Sequence, residues 1–123
     1  MSNAKLLAVT GNPILHSKSP CMFNEAFKTM NINASYVRLA ANSAAEAVSV
    51  MRSLDIFGMN VTAPFKEEIM NYIDQVDDEA LLIGGVNTLK KSNGWITGYN
   101  TDHYGVSQSL LNAGVCLKDR KCV

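Results

Sequence analysis

The chain has 123 residues, which is the length of one ordinary domain, and 47% of them are hydrophobic, which excludes a disordered protein. Eleven basic and eleven acidic residues cancel, and no basic stripe is present, so the composition argues against nucleic acid as a partner. No apolar run approaches the length of a membrane span, which argues against a membrane protein.

The cysteines and histidines indicate the compartment and exclude a metal site. The odd number of cysteines, the absence of a Cys-x-x-Cys motif and the lack of a signal-peptide pattern indicate a reducing compartment, so we expect a cytoplasmic protein. Cys21 lies in a predicted helix and is interpreted as a buried structural thiol. His16 and His103 are far apart, show no metal-ligand spacing and fit exposed loop positions better than catalytic ones.

In the first two thirds of the chain, three strand-like runs are each followed by a helical pattern. The three units are a strand at residues 6–9 with a helix from residue 19, a strand at 34–39 with a helix from 43, and a strand at 56–59 with a helix from 64. Ser19 and Pro20 are the predicted N-cap and first residue of the first helix, and Ser43 with Glu46 matches a capping box. Pro64 is the predicted first residue of the third helix.

The last third of the chain predicts a short helix, a hairpin and a final helix. These elements are a helix at 77–83 closed by Gly84 and Gly85, strands at 86–90 and 95–97 joined through Asn93 and Gly94, and a helix around 106–113 ended by Gly114. Residues 120–123 have the pattern of another strand. This order predicts an α/β fold with three α-β-α layers, a mostly parallel, mixed sheet of about six strands and helices on both faces.

The stretch at residues 60–66, NVTAPFK, is the most informative local motif. It lies between a buried strand and a predicted helix, which is where α/β sheets place ligand sites. Lys66 falls in the first turn of that predicted helix, where the helix dipole disfavours a cation. A lysine in this position has either a solvated role or a chemical one, and Glu67 and Glu68 could offset its charge.

Polar side chains form three clusters at predicted loop positions. The clusters are Ser17 with Ser19, then Asn60 with Thr62 and Lys66, and then Asn87 with Thr88, Asn100, Thr101 and Asp102. Because parallel strands direct their exit loops to one edge of the sheet, the first two clusters are expected to converge there. Hydroxyls, amides, one cation and one carboxylate suit a small polyhydroxylated acid, and Lys66 with Asp102 could form a proton-transfer pair.

Each of these residues also has a purely structural interpretation. Ser19 and Thr62 could act only as helix caps, and Asn87 and Asn100 could only stabilise turns. Asp102 could be an acidic N-cap that the helix dipole favours. Pattern alone therefore predicts an α/β domain with a polar cleft.

Four motifs, in this order, resemble the substrate-binding domain of shikimate dehydrogenase over nearly the whole chain. They are residues 11–20 (GNPILHSKSP), 60–66 (NVTAPFK), 85–88 (GVNT) and 98–102 (GYNTD). The resemblance implies NADP-dependent, reversible reduction of 3-dehydroshikimate to shikimate, on the route to chorismate and the aromatic amino acids. The two serines of the first motif favour a shikimate-type enzyme over a relative that prefers quinate.

The resemblance also implies roles for individual residues. Five of them would contact the substrate, namely Ser17 and Ser19 at its carboxylate, and Thr62, Asn87 and Asp102 at its ring hydroxyls. Lys66 would be the acid–base residue with Asp102 as its partner, because an ammonium group can stabilise and protonate the alkoxide that forms on ketone reduction. Shikimate or 3-dehydroshikimate is the implied small-molecule partner, and a homodimer of the full-length protein stays open.

One part of the family pattern is absent from this sequence. The eight glycines nowhere form Gly-x-Gly-x-x-Gly, so the resemblance implies that NADP(H) is bound by a C-terminal domain that this chain lacks. We therefore expect residues 1–118 to form the substrate-binding (catalytic) domain and residues 119–123 to start a Rossmann domain. This chain alone is expected neither to bind NADPH nor to catalyse the reaction, since hydride transfer needs both reactants held together.

Two small departures from the family pattern leave the predicted site residues unchanged, because Phe23 replaces a common histidine and Gly85 a common alanine. Two alternative functions stay open beside the leading one. A quinate/shikimate dehydrogenase would accept a broader range of substrates. A non-catalytic module would keep the fold and bind a small acid without turnover.

Overall fold

A computed structural model describes residues 3–121, in which one mixed sheet carries helices on both faces. The helical elements of this part of the chain are α1 (Ser19–Thr29), α2 (Ala44–Ser53), a 3₁₀ helix (Glu68–Asn71), α3 (Asp78–Ile83) and α4 (Asp102–Asn112). Its strands are β1 (Lys5–Gly11), β2 (Ala34–Ala40), β3 (Gly58–Val61), β4 (Gln75–Val76), β5 (Thr88–Ser92) and β6 (Trp95–Tyr99). The predicted α/β class is confirmed.

The strands are ordered β2-β1-β3-β5-β6-β4 across the sheet. Strand β1 pairs in parallel with both β2 and β3, whereas β5 pairs antiparallel with β3 and with β6. The two-residue strand β4, which the sequence does not predict, pairs in parallel with β6. Because β1 and β3 run in the same direction, their exit loops meet at one edge of the sheet, as the sequence predicts.

Two hydrophobic clusters lie on opposite faces of the sheet. Alternate residues of β1 separate them, since Ala8 belongs to the larger cluster and Val9 to the smaller one. The larger cluster joins α2, the 3₁₀ helix and the β5–β6 hairpin through side chains that include Met51, Ile69, Leu89 and Ile96. The smaller cluster receives α1, and its members are Val9, Ile14 and Tyr36, with Leu7, Phe23 and Phe27 packed against them.

The hairpin and the glycine-ended helices form as the sequence predicts. Asn93 and Gly94 have φ angles of 52° and 76°, the left-handed pair that a two-residue hairpin turn requires. Gly84 ends α3 with a φ of 81°, and Gly114 follows α4 with the same angle. These turn residues place β5 beside β6, so the segments that precede β5 and follow β6 lie at the same edge of the sheet.

No α-helix begins at Pro64, contrary to the prediction. The chain turns after β3, contains a cis peptide before Pro64, and becomes helical only in the 3₁₀ segment from Glu68. The reason is a tertiary hydrogen bond, because the Lys66 carbonyl accepts the Val86 N–H at 2.8 Å instead of an N–H from a helix of its own. Lys66 therefore does not lie in the first turn of an α-helix, and the predicted dipole effect does not apply.

The starts of α1 and α2 differ in detail from the predicted caps. Ser19 is the first residue of α1 rather than its cap, and Lys18 takes the cap position without a side-chain hydrogen bond. Ser43 caps α2 as predicted, because its Oγ accepts the Glu46 N–H at 3.1 Å. The Glu46 carboxylate, however, accepts the N–H of Asn42 at 2.9 Å, one residue earlier than in a capping box.

The interpretation of Cys21 as a buried structural thiol is wrong, because the residue is a free thiol on the exposed side of α1. The helix itself explains the difference. Pro20 is the one buried residue of α1, and the helix packs on the sheet through the partly buried rings of Phe23 and Phe27. The face that carries Cys21 therefore stays open to solvent.

At the end of the described chain, Arg120 and Lys121 are not in a strand, and the rest of that predicted strand, Cys122 and Val123, lies outside the described residues. Among residues 3–121, no helix is long and apolar enough to cross a membrane. The same part of the chain contains no group of three or more Asp, Glu, His or Cys residues that could hold a metal ion.

Candidate functional site

A polar cavity of about 260 Å³ opens at the edge of the sheet where β1 and β3 end. All six residues predicted as site residues line it, namely Ser17, Ser19, Thr62, Lys66, Asn87 and Asp102. Its other lining residues are Val9, Ile14, His16, Asn60 and Val61. The structure therefore brings members of all three polar clusters together, including the third, for which the parallel strands alone made no prediction.

Ser17 and Ser19 lie on the loop between β1 and α1, and both are partly buried. The Ser17 N–H donates to the carbonyl of Ile14, whose side chain is 2% exposed and anchors the loop in the core. The Ser17 Oγ accepts the Ser19 N–H at 3.3 Å, and the Ser17 carbonyl accepts the Arg38 Nε–H at 2.8 Å. These bonds hold both hydroxyl-bearing residues at the cavity wall, so Ser19 lines the cavity as well as beginning a helix.

The loop that carries the serines is bonded directly to the segment that carries Thr62. The Thr62 N–H donates to the Thr10 carbonyl at 2.9 Å, and the Asn12 N–H donates to the Ala63 carbonyl at 3.1 Å. Gly11 permits this approach, since a Cβ there would lie 2.5 Å from Thr62 Cγ2 and 2.9 Å from the Ala63 carbonyl oxygen. Thr62 thus forms part of the cavity wall and does not cap a helix.

Lys66 and Asp102 form a salt bridge at the cavity, with 2.7 Å between Nζ and Oδ2. Their side chains are 39% and 56% exposed, so both charged groups can reach a ligand. The two residues lie 36 positions apart in the chain, which means that the fold, and not the local sequence, brings them together. The pair therefore has the hydrogen-bond geometry that proton transfer requires.

The position of Asp102 is fixed by the turn between β6 and α4. Asp102 is the first residue of α4 and Thr101 takes the cap position, so Asp102 is not the N-cap. Its N–H donates to Asn100 Oδ1 at 2.9 Å, and Asn100 Nδ2 donates to the Gly85 carbonyl at 3.0 Å. The hydrogen bond from Lys66 holds the pKa of Asp102 below its ordinary value, and the positive charge of Lys66 acts in the same direction. Asp102 is therefore an anion at neutral pH.

The Asn87 side chain is held in one orientation by hydrogen bonds to Thr88 and Thr101. Its Oδ1 accepts the Thr101 N–H and the Thr88 hydroxyl, both at 3.0 Å. Its Nδ2 donates to Thr101 Oγ1 at 3.0 Å, and a hydrogen bond from the Asn87 side chain also helps to lower the pKa of Asp102, so the amide lies beside that carboxylate. Asn87 and Asn100 do stabilise a turn, as the structural interpretation holds, but Asn87 also lines the cavity.

Two residues that the sequence does not assign to the site belong to its surroundings. Asn60 appears in a polar cluster without a role, and the structure places it in the cavity wall, where its Oδ1 accepts the Tyr36 hydroxyl at 2.6 Å. Tyr36 has no signal of its own, because a tyrosine in an alternating strand is ordinary. Of the histidines, His16 is exposed but lines the cavity, whereas His103 pairs with Glu79 at 3.2 Å.

The groups around the cavity have the chemistry to bind a small acid that carries hydroxyls. The serine hydroxyls can donate to a carboxylate, while the amide, the threonine hydroxyl and the aspartate can bind ring hydroxyls. The Lys66 ammonium can stabilise and protonate an oxygen atom that gains negative charge. The arrangement therefore supports both recognition of such an acid and proton transfer to it.

One protein-family model, described as the shikimate dehydrogenase substrate binding domain, matches residues 9–89. The matched segment contains the loop between β1 and α1 that carries Ser17 and Ser19 (the serine loop), residues 60–66 (the lysine motif) and Asn87. It ends before Asp102. The shikimate dehydrogenase (NADP(+)) of Alkaliphilus oremlandii is 40% identical over 121 residues, which are 97% of this chain and 42% of that protein.

Solved structures of such enzymes share the fold. Shikimate 5-dehydrogenase from Listeria monocytogenes, in complex with shikimate and NAD, has a TM-score of 0.85 at 33% identity over 93% of this chain and 40% of its own. The enzyme from Thermus thermophilus, in complex with NADP(H) and shikimate, has a TM-score of 0.83 at 33% identity over 93% and 44%. The chain thus spans less than half the length of these relatives. These matches confirm the resemblance of the four motifs and show that the chain belongs to the family of shikimate dehydrogenase substrate-binding domains.

Proposed function

We propose that this chain forms the substrate-binding part of an NADP-dependent shikimate dehydrogenase, which interconverts 3-dehydroshikimate and shikimate. The observation that most supports this is the Lys66–Asp102 pair, which shares one cavity with Ser17 and Ser19. A proton donor beside hydroxyls that can bind a carboxylate fits an enzyme that reduces a ketone on an acidic ring. The Listeria and Thermus structures, which are described as shikimate complexes, support the same substrate class.

The substrate contacts follow from the chemistry of the lining groups. Ser17 and Ser19 donate their hydroxyl protons to the substrate carboxylate from the β1–α1 loop. Thr62 and the Asn87 amide contact ring hydroxyls, which can both donate and accept hydrogen bonds. Asp102, which is an acceptor at neutral pH, binds a further ring hydroxyl.

Lys66 is the proposed acid–base residue. When the substrate ketone is reduced, its oxygen gains negative charge, and the Lys66 Nζ stabilises that charge and donates a proton to it. In the oxidative direction, the neutral amine accepts the proton of the substrate hydroxyl. Asp102 Oδ2, which lies 2.7 Å from Nζ, orients the lysine for both directions.

Residues 3–121 do not fit the NADP(H) that the names of the relatives imply. A dinucleotide site needs glycines that open a helix directly after a strand, whereas the paired glycines of this chain, Gly84 and Gly85, follow α3. The described residues therefore provide substrate contacts and proton transfer, and hydride transfer is assigned to none of them.

The cysteines support a cytoplasmic location as part of the same proposal. Cys21 and Cys116 are both free thiols at exposed positions. Exposed free thiols persist in a reducing compartment, whereas secreted proteins commonly pair theirs in disulfides.

A titration of the isotope-labelled chain with shikimate, followed by NMR, tests the proposed site. We expect saturable shifts of the resonances of Ser17, Ser19, Thr62, Asn87 and Asp102. The hairpin turn at Asn93 and Gly94 lies at the other edge of the sheet and should not respond. Shifts that centre on this turn instead of on the cavity would contradict the proposed site.

Recognition of the carboxylate has its own matched controls. Replacing both Ser17 and Ser19 by alanine should weaken shikimate binding by about tenfold or more, because two hydrogen bonds to a charged group are lost. The same double variant should bind the methyl ester of shikimate as weakly as the wild type does. Ser53→Ala, which removes a hydroxyl that donates to the Ser49 carbonyl on α2, should change neither affinity. Equal losses for the acid and the ester would contradict the assignment of the serines.

A further inference from the structure

Tyr36, in the middle of β2, lies below the cavity with 3% of its surface exposed. It packs in the same cluster as Val9 and Ile14, which line the cavity. Its hydroxyl donates to Asn60 Oδ1 at 2.6 Å, within the usual range for a hydrogen bond between two oxygen atoms. None of the roles proposed above uses this bond, although Asn60 is part of the cavity wall.

Two residues of α1 hold Tyr36 in place. Asn24 Nδ2 donates to the Tyr36 carbonyl at 2.9 Å, and Asn24 Oδ1 accepts the Tyr36 N–H at 2.8 Å. Phe23 stacks on the phenol ring, with ring centroids 4.4 Å apart and planes that differ by 6°. Burial raises the pKa of Tyr36 to about 12, so its hydroxyl is a hydrogen-bond donor throughout the neutral range.

A continuous line of side-chain hydrogen bonds leads from Tyr36 to Asn87. Asn60 Nδ2 donates to Thr88 Oγ1 at 3.2 Å, and the Thr88 hydroxyl donates to Asn87 Oδ1 at 3.0 Å. Asn87 Nδ2 then donates to Thr101 Oγ1 at 3.0 Å. We call these five residues the tyrosine relay. In each residue of the relay between Tyr36 and Thr101, one atom accepts a hydrogen bond from the residue before it, and that residue donates a hydrogen bond to the next one.

The direction of the relay is fixed independently at two points. The Asn87 main-chain carbonyl, which can only accept, receives a hydrogen bond from Asn60 Nδ2 at 3.4 Å, so Asn60 Oδ1 must face Tyr36. The Thr101 main-chain N–H, which can only donate, reaches Asn87 Oδ1 at 3.0 Å, so Asn87 Nδ2 must face away from it. Both amides therefore have one orientation that satisfies every partner, and the Tyr36 hydroxyl supplies the donor that Asn60 needs.

We propose that Tyr36 is a positioning residue for the ligand, because its hydroxyl is the remaining partner of Asn60 Oδ1 and holds the Asn60 amide and, through Thr88, the Asn87 amide firmly in the orientation that the main-chain bonds select. The identity of the ligand as shikimate rests on the function proposed above. Tyr36 does not contact the ligand itself. Its effect is to present the Asn87 amide in a fixed direction before the ligand binds, which reduces the ordering that binding requires.

The test is Tyr36→Phe in the labelled 123-residue chain, which keeps the buried ring and removes the hydroxyl. We expect the side-chain amide protons of Asn87 to shift and to exchange faster with water in the absence of any ligand. Shikimate binding should weaken by about fivefold, the effect of one hydrogen bond of average strength. Thr88→Val removes the hydroxyl that bonds Asn87 directly, so it shows the change of the Asn87 amide that a broken relay produces, and the resonances of the other core residues show whether Tyr36→Phe keeps the fold.

The control is Thr10→Val, which removes another buried hydroxyl, the one that donates to the Leu39 carbonyl at 2.9 Å outside the relay. It should lower the melting temperature without changing the Asn87 amide, as a merely structural loss would. An Asn87 amide that stays unchanged in a folded Tyr36→Phe variant would overturn the proposal, whatever Thr88→Val does. If the wild-type chain fails to bind shikimate, the proposed ligand is wrong, and the ligand-free amide resonances still decide whether the relay acts.

Discussion

At the scale of single residues, Lys66 carries the chemical part of the proposed function. Its surroundings are not those that the sequence predicts, because a carboxylate and a tertiary hydrogen bond replace the expected helix start. The Lys66 carbonyl accepts the Val86 N–H at 2.8 Å, which fixes the main chain, and Asp102 holds the ammonium group at 2.7 Å. The charge of Lys66 is therefore balanced by a neighbour and is not opposed by a helix dipole.

In an active enzyme that contains this chain, Lys66→Ala should lower kcat by about 10²–10⁴, the usual contribution of general acid–base catalysis, and should leave KM within a few-fold. Steady-state kinetics in both directions measure this. Lys91→Ala is the matched control, because Lys91 also pairs with an aspartate, Asp55, but far from the cavity. A Lys66→Ala enzyme with a kcat near that of the wild type would end the acid–base proposal.

Asp102 makes the stability of the fold depend on pH in the acid range. Because Lys66 lowers the pKa of Asp102 in the folded state below its ordinary value of 3.8, the ionised carboxylate stabilises the fold above that value. This stabilisation is lost as the pH falls through the lowered pKa, so Asp102→Asn should reduce the difference in melting temperature between neutral and strongly acid solution.

Thermal melts over a pH series test this expectation, and Asp74→Asn provides the comparison. The pKa of Asp74 is also lowered, first by the Ile96 N–H and then by Arg52, but Asp74 does not line the cavity. Both variants should therefore flatten the acid limb of the profile, while only Asp102→Asn should also weaken shikimate binding. An Asp102→Asn variant with the full acid limb of the wild type would show that the salt bridge contributes nothing to stability.

At the scale of elements, the position of the serine loop depends on how closely it approaches the end of β3. Gly11→Ala should push the loop away, since its Cβ would lie 2.5 Å from Thr62 Cγ2 and 2.9 Å from a main-chain oxygen that cannot easily move. We expect a loss of about 1–3 kcal/mol in the free energy of unfolding, as for other overpacked sites, together with weaker shikimate binding.

Gly85→Ala is the matched control for this prediction. A Cβ at Gly85 would meet its nearest neighbour, the Lys66 carbonyl oxygen, at 3.8 Å, which is an ordinary contact. The substitution should leave the free energy of unfolding unchanged or raise it by about 0.4–1 kcal/mol, because alanine restricts the unfolded chain. Urea unfolding of the two variants measures both effects, and a Gly11→Ala protein as stable as Gly85→Ala would refute the close-packing argument.

The elements that the sequence predicts well are those whose signals are local. The hairpin turn at Asn93 and Gly94 and the end of α3 at Gly84 need left-handed backbone angles, and the residue types that adopt them can be read from the sequence. The helix expected from Pro64 fails because the carbonyl of Lys66 bonds to Val86, a distant partner in the chain that no local pattern reveals. The two-residue strand β4 is too short to show any periodicity.

At the scale of the whole molecule, the site likewise combines features that the sequence predicts with features that only the assembled sheet creates. The topology predicts that the serine loop and the lysine motif converge, because both follow parallel strands at one edge of the sheet. Asp102 joins them through a turn after β6, and Tyr36 supports them from β2, so both depend on the assembled sheet. Sequence reasoning therefore finds the groups that would touch a ligand more readily than those that orient them.

The whole account depends on the claim that one cavity binds shikimate with its carboxylate at the serines and its reacting carbon at the lysine. A crystal structure of this chain with shikimate tests that claim most directly. We predict the carboxylate within hydrogen-bond distance of Ser17 Oγ and Ser19 Oγ, and a ring hydroxyl between Lys66 Nζ and the Asp102 carboxylate. Shikimate bound in the reverse orientation, with its carboxylate on Lys66, or bound outside this cavity would contradict the account.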